Sequence, residues 1–121
     1  MTYDPSNIFA RILRGEIPCD RVYEDDHVLA FRDINPQAPV HVLVVPKRAH
    51  VSTQDFGTNA APEEAAAMWA AVARIAAQEG VAGTGYRVIA NAGANGGQEV
   101  PHFHIHILGG RRLGRMVAKA E

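Results

Sequence analysis

Apolar residues recur at helical spacing in two stretches of the chain. In residues 6–14, which Ser6 or Asn7 can cap, one face collects the apolar side chains Ile8, Phe9, Ile12 and Leu13. In residues 62–79, Pro62 suits a first turn and Gly80 follows the last turn, and the inward stripe consists of Ala65, Met68, Val72, Ile75 and Ala76. We therefore expect two helices, a short one near the start of the chain and a long one after its middle.

Runs rich in β-branched residues predict five strands. They cover residues 21–24, 27–34, 40–45, 85–90 and 100–108. The first two form a hairpin around Asp25 and Asp26, and the third, VHVLVV between two prolines, is expected to be central. Because the helices are grouped rather than alternating with the strands, the order favours an α+β fold with an antiparallel sheet.

The composition is typical of one globular domain. The chain has 121 residues, of which 47% are hydrophobic and 21% are charged. We expect a single domain over residues 1–121, with a tail from about residue 112. The net charge is −1, from 12 Lys and Arg against 13 Asp and Glu. The chain therefore lacks the basic excess that is typical of nucleic-acid-binding proteins.

The sequence predicts neither a membrane span nor secretion. No apolar run approaches the roughly 20 residues that a span requires. Residues 1–18 place an acid and a proline before any apolar stretch, unlike a secretory signal. Cys19 is the single cysteine, so no intrachain disulfide can form, and we interpret it as a small residue in a turn. We expect a cytoplasmic protein.

Three histidines stand at alternate positions in PHFHIHILGG, residues 101–110. Because strand side chains alternate between faces, His102, His104 and His106 should share one face. The opposite face should enter the core through Phe103, Ile105 and Ile107. The pattern leaves three interpretations: a metal site, a packed structural ladder, or a nucleophile with supporting groups.

A metal site and a structural ladder each face a physical objection. Zinc needs nitrogen ligands about 2.0–2.1 Å away, whereas at about 3.3 Å per residue the outer two histidines are about 13 Å apart on a straight strand. Two neighbours could share a zinc ion only with a further ligand from elsewhere. A ladder retained for packing would need hydrogen-bond partners for every buried ring.

Nucleophilic catalysis fits the histidine pattern better. A neutral imidazole can attack phosphorus if one nitrogen is bare and the other is held as a donor, and a flanking histidine can supply charge to phosphoryl oxygens. The preceding loop contains Gly96 and Gly97, which let backbone amides approach an anion closely. A glycine-rich loop that leads directly into three alternating histidines therefore favours phosphorus chemistry.

Several motifs together resemble one known family. The segment 102–108, HFHIHIL, resembles the signature of the histidine triad (HIT) superfamily, His-x-His-x-His followed by apolar residues. Further segments of the chain resemble the histidine triad nucleotide-binding (HINT) branch of this superfamily, namely residues 8–18, 31–41, 45–47, 91, 96–98 and 108–111. The resemblance covers roughly residues 7–112. It implies a five-stranded antiparallel sheet with two helices, and a homodimer that joins two sheets.

The resemblance also implies an activity. Such proteins bind purine nucleotides and hydrolyse nucleoside 5′-phosphoramidates without a metal or other cofactor. His104 would attack the α-phosphorus and form a nucleotidyl-histidine intermediate, which water then cleaves. His102 would contact phosphate oxygens, and His106 with His41 would orient and tune His104. We interpret His50, by contrast, as a surface or dimer-edge residue.

The same resemblance assigns the nucleotide contacts. Asp33 would accept hydrogen bonds from the ribose hydroxyls. The phosphate would be held by Asn91 and by backbone amides near Gly97 and Val100. The base would lie among apolar side chains, namely Ile8, Phe9, Ile12, Ile17, Phe31 and Ile34.

One residue departs from the family pattern. Many members carry a serine where this chain has Glu99, and its hydroxyl contacts the phosphate or the leaving group. A carboxylate there would repel phosphate, and the hypothesis that follows is a preference for cationic amine leaving groups. Two alternative functions remain: a non-catalytic nucleotide-binding or scaffold protein, and a dinucleoside polyphosphate hydrolase of the neighbouring branch.

Overall fold

A computed structural model of the chain describes residues 2–119. The elements within this range, in chain order, are α1 (Ile8–Leu13), β1 (Arg21–Glu24), β2 (Val28–Arg32), β3 (Val40–Pro46), α2 (Thr53–Asn59), α3 (Pro62–Gln78), β4 (Tyr86–Ile89) and β5 (Ile105–Gly109). The strands form one antiparallel sheet in the order β1-β2-β3-β5-β4. The expected α+β class and five-stranded sheet are confirmed.

The two faces of the sheet are covered by different helices. Even-numbered residues of β2 and β3 pack with Ile105 and Ile107 of β5 against the inner stripe of α3, which includes Met68, Val72 and Ile75. Odd-numbered residues of the same strands face the other side, where Phe9 of α1 packs with Leu29, Phe31, Leu43 and Val45. His41 has the parity of this second face, so β3 directs its ring towards the α1 side.

Local signals explain why both predicted helices form. The Asn7 side chain accepts a hydrogen bond from the Ala10 amide at 2.9 Å and caps α1. The Glu64 carboxylate accepts one from the Ala61 amide at 2.8 Å and so caps α3. Gly80, with φ of 75°, follows α3 in the left-handed conformation that commonly ends a helix.

Two features differ from the sequence prediction. A third helix, α2, occupies residues 53–59, where the sequence, which contains Gly57, has weak helix propensity. It forms because Phe56 is buried and stacks on Phe103, with ring centroids 4.5 Å apart. The final strand begins only at Ile105, not at residue 100, because the Phe103 amide donates to the His50 carbonyl outside the sheet at 2.7 Å.

Residues 110–119 contain no helix or strand. The Arg87 guanidinium holds this segment by donating to the carbonyl oxygens of Gly114 and Arg115, at 2.9 and 3.1 Å. Among the helices within residues 2–119, none combines the length and the apolar content needed to cross a bilayer.

Candidate active site

A cavity of about 350 Å³ opens on the α1 side of the sheet. The apolar side chains that the sequence assigned to a base pocket all line it: Ile8, Phe9, Ile12, Ile17, Phe31 and Ile34. The polar end is formed by Asp33, by the loop residues Asn91, Gly97, Glu99 and Val100, and by the rings of His104 and His106. The cavity therefore joins an apolar slot to a polar, histidine-bearing end.

The ring of His104 is held in a single tautomer. Its Nδ1 lies 2.7 Å from the carbonyl oxygen of His102. A carbonyl oxygen only accepts, so Nδ1 carries the proton and Nε2 is bare. The ring is 6% exposed, and Phe9 meets it edge-on with centroids 4.9 Å apart. Burial lowers the pKa of His104, so the ring is neutral at pH 7 and its Nε2 lone pair is free.

A second chain of hydrogen bonds fixes the ring of His106. The Gln37 amide donates to His41 Nδ1 at 3.0 Å, so the His41 proton must be on Nε2. His41 Nε2 lies 2.9 Å from His106 Nδ1 and 3.4 Å from an oxygen of Asp33. His106 Nδ1 therefore accepts, and His106 carries its proton on Nε2. One backbone amide thus sets the protonation of a ring that lines the cavity.

Burial keeps these flanking rings uncharged at neutral pH. It is the largest cause of the lowered pKa of His41, which the Asp33 carboxylate opposes. Burial, together with the neighbouring histidines, lowers the pKa of His106 to about 4. The three rings, those of His41, His104 and His106, are therefore neutral donors and acceptors rather than a cluster of cations.

The ring of His102 lies behind the cavity and is fully buried. Its Nε2 donates to the Pro46 carbonyl oxygen at 2.8 Å, and its Nδ1 lies 2.7 Å from the Tyr3 hydroxyl. This position differs from the expectation that His102 contacts phosphate oxygens, because both ring nitrogens already have partners. Towards the cavity, His102 contributes the carbonyl group that holds His104.

Within residues 2–119, the donor set that could hold a metal is not the histidine triad. It consists of Asp33, His41 and His106, whose ligand atoms lie within 4.8 Å of one another. A metal there would need His41 Nε2 unprotonated, which would move the proton to Nδ1 against the Gln37 amide. Two donors would then face each other, so this set suits proton sharing better than metal binding.

The glycine-rich loop is shaped by Gln98. Its side-chain amide donates to the carbonyl oxygens of Val51 and Val100, at 2.7 and 3.0 Å, and its oxygen accepts from the Gly93 amide at 3.0 Å. Gly97 has φ of 78°, a conformation that side chains rarely adopt. These bonds hold the loop, including the exposed Glu99, at the polar end of the cavity.

Sequence reasoning missed several residues around the site. Further residues line the cavity, namely Pro18, Cys19, Asp20, Arg32, Gln37 and Leu43. Gln37 acts through its backbone amide, which no sequence pattern reveals. The expectation for His50 was wrong: its ring is 4% exposed and lies 3.2 Å from a carboxylate oxygen of Glu64. That carboxylate gives the buried ring a partner, which a surface residue would not need.

Comparisons with known proteins identify the family of the chain. The family model described as the HIT domain matches residues 14–113. A 13.2 kDa HIT-like protein of Azospirillum brasilense is 56% identical over 98% of this chain and 97% of its own length. The purine nucleoside phosphoramidase of Escherichia coli (strain K12) is 52% identical over 92% of each chain.

A solved structure extends the likeness to three dimensions. A histidine triad protein from Clostridium difficile superposes with a TM-score of 0.84 at 44% identity, covering 96% of this chain and 100% of that one. The family model, the relatives and the solved structure thus point the same way, and the chain belongs to the HIT domain family.

Proposed function

We propose that this protein hydrolyses purine nucleoside 5′-phosphoramidates, releasing the nucleoside monophosphate and an amine. The observation that carries the proposal is the neutral ring of His104, which lines the cavity. Its Nδ1–H is held by the His102 carbonyl, so its Nε2 is unprotonated. The 52% identity to a purine nucleoside phosphoramidase over 92% of each chain supports it.

The cavity provides separate environments for the parts of a nucleotide. The base lies among the apolar side chains, of which Phe9 and Phe31 form an edge-to-face pair with centroids 5.5 Å apart. Asp33 accepts hydrogen bonds from the ribose hydroxyls. Asn91 and the amides near Gly97 and Val100 hold the phosphate, in line with the affinity of glycine-rich loops for anions.

The reaction proceeds by two displacements at phosphorus. His104 Nε2 attacks, the P–N bond breaks as the amine nitrogen takes up a proton from the solvent, and a nucleotidyl-histidine forms. The ring becomes cationic, and its Nδ1–H bond to the His102 carbonyl strengthens because the donor is now charged. The Nε2–H of His106 donates to the phosphoryl group as negative charge develops there. Water then cleaves the intermediate and restores the neutral ring.

AMP release from adenosine 5′-phosphoramidate in the presence of a chelator tests the proposal. His104→Ala should lower the rate by at least about a thousandfold, because the nucleophile is gone. The control is His27→Ala, which removes an exposed histidine from the β1–β2 turn and should leave the rate unchanged. Full activity in His104→Ala would contradict the proposal.

The same assay separates the alternatives. A wild-type protein that binds AMP without hydrolysing the phosphoramidate would be a nucleotide-binding or scaffold protein. Faster cleavage of diadenosine triphosphate than of the phosphoramidate would indicate a dinucleoside polyphosphate hydrolase.

We also propose that the protein is a homodimer in which two sheets join. β4 lies at one edge of the sheet and pairs with β5 on one side only within residues 2–119. An unpaired strand edge presents amide and carbonyl groups to a second copy. Sedimentation at micromolar concentration should give twice the mass of the 13.1 kDa chain, and a monomer would contradict this proposal.

A further inference from the structure

Tyr3 contacts the catalytic segment from outside the region that the family model matches, residues 14–113. Its hydroxyl oxygen lies 2.7 Å from His102 Nδ1. Its ring packs against the His102 ring at 66°, with centroids 5.6 Å apart. Tyr3 does not line the cavity. Its hydrogen bond and its ring contact both go to His102, so we expect any effect on the reaction to pass through His102.

The direction of this hydrogen bond follows from the other partner of the ring. His102 Nε2 lies 2.8 Å from the Pro46 carbonyl oxygen, which only accepts, so Nε2 carries the proton. Burial lowers the pKa of His102 to about 4, so the ring has a single proton at neutral pH. Nδ1 is therefore bare, and the Tyr3 hydroxyl donates to it.

Tyr3 reaches His102 from a segment that is joined firmly to α1. The Asn7 side chain donates to the Asp4 carbonyl at 2.7 Å while its oxygen caps the helix. The Arg14 guanidinium donates to the Pro5 carbonyl at 2.8 Å, which ties the start of the segment to the end of α1. Tyr3 directly precedes these anchored residues, so its hydroxyl is not carried by a free tail.

We infer that Tyr3 is a positioning residue, which holds His102 so that the His102 carbonyl keeps the proton of His104 on Nδ1. His102 is then fixed at three points: Nδ1 by Tyr3, Nε2 by Pro46, and the carbonyl oxygen by His104. Without the tyrosine hydroxyl, His102 Nδ1 becomes a buried acceptor with no partner. The ring and its carbonyl then shift to find one. The kinetic part of this inference rests on the proposed function, whereas the tautomer part rests on geometry alone.

Tyr3→Phe tests the inference because it keeps the ring and removes only the hydroxyl. The matched control is Tyr23→Phe, which removes a hydroxyl that donates to an Asp25 oxygen, also at 2.7 Å, in the hairpin. Tyr3→Phe should lower kcat for adenosine 5′-phosphoramidate by roughly tenfold, as small misplacements of a nucleophile do. The Kd for AMP should change by less than about twofold, since Tyr3 makes no contact with the cavity. Tyr23→Phe should change neither value.

Nitrogen NMR of the histidine rings provides a readout independent of activity. In the wild type, His102 should be protonated on Nε2 and His104 on Nδ1. In Tyr3→Phe, the His102 Nδ1 resonance should move towards that of a nitrogen without a hydrogen bond, and His104 should populate both tautomers. A melting curve for each variant confirms that it is folded.

The outcomes distinguish this inference from the proposed function. If the wild type lacks phosphoramidase activity but the ring resonances change as expected in Tyr3→Phe, the positioning role stands and the proposed function falls. If kcat falls while the resonances of His102 and His104 stay unchanged, Tyr3 acts through packing and the inference is overturned. Unchanged kcat with unchanged resonances overturns it as well.

Discussion

His41 Nε2 lies 2.9 Å from His106 Nδ1, and this contact connects a backbone amide to the histidine-bearing end of the cavity. The two rings lie on neighbouring strands, where His106 pairs with Leu43 and His41 pairs with Leu108. They are therefore diagonal neighbours on one face. Because the Gln37 amide donates to His41 Nδ1, the proton between the two rings is bonded to His41 Nε2. The proton of His106 is therefore on its own Nε2, away from His41.

Replacing His41 should release the ring of His106 from its fixed tautomer. In His41→Phe, His106 Nδ1 loses its donor, so His106 no longer presents its Nε2–H in a fixed orientation. We expect kcat/KM for adenosine 5′-phosphoramidate to fall by roughly tenfold or more. His27→Phe makes the same substitution at an exposed turn and should match the wild type. Equal rates for the two variants would show that His41 has no role in the reaction.

Asp33 should discriminate between ribonucleotides and nucleotides that lack the ribose hydroxyls. Its carboxylate lines the cavity and already accepts from the Asn35 amide at 2.9 Å, which fixes its orientation. Asp33→Asn should weaken AMP binding by about 10-fold to 100-fold, because hydrogen bonds to a charged acceptor are lost. Binding of 2′,3′-dideoxy-AMP should change much less, and calorimetry measures both. Equal losses for the two ligands would contradict a ribose contact.

Glu99 should favour substrates whose leaving amine carries a positive charge on a group other than the nitrogen bonded to phosphorus. Its exposed carboxylate lies at the polar end of the cavity. In Glu99→Ser, the ratio of kcat/KM for cationic over neutral amine substrates should fall by up to roughly fivefold, as for other exposed ion pairs. The effect should shrink at high salt. Glu63→Ser, which changes an exposed glutamate at the start of α3, is the control. An unchanged ratio in Glu99→Ser would remove this role.

The buried histidines should make the protein less stable as pH falls. The folded state holds the pKa of His102 and of His106 at about 4, below the ordinary value of 6.5. Between these values the unfolded chain binds more protons, so the free energy of unfolding decreases with decreasing pH. Each ring contributes up to about 1.4 kcal/mol per pH unit.

Urea unfolding between pH 6.5 and pH 5 measures how the free energy of unfolding changes with pH. Most carboxylates take up protons only below this interval, so they contribute little to the slope. His106→Asn should reduce the slope, because one buried titrating ring is removed. A free energy of unfolding that stays constant over this interval would show that the rings are not held neutral.

The regular parts of the fold were predictable because their signals are local. The periodic apolar stripe of α3 and the β-branched residues of β3 indicate their structure without reference to the rest of the chain. Helix α2 was not predictable, since it depends on the packing of Phe56 against Phe103, which lie far apart in sequence. The late start of β5 has a similar cause in the bond from the Phe103 amide to His50.

The residues of the candidate site were likewise predictable only in part. Alternate spacing placed His104 and His106 at one cavity, and the resemblance to a family named the side chains that surround it. Besides the His102 carbonyl, which holds His104, the ring partners are the amide of Gln37, the carbonyl of Pro46 and the hydroxyl of Tyr3. Two of these are backbone groups, and Tyr3 is a single aromatic residue with no surrounding pattern. Sequence reasoning had no means to find them.

The stereochemistry of hydrolysis shows whether a nucleotidyl-histidine forms. The substrate is one diastereomer of adenosine 5′-phosphorothioamidate, hydrolysed in ¹⁸O-enriched water so that the product phosphorus is chiral. Attack by His104 followed by attack by water gives two inversions, so we expect net retention of configuration. Net inversion would show that water displaces the amine in a single step, and it would contradict a nucleotidyl-histidine intermediate.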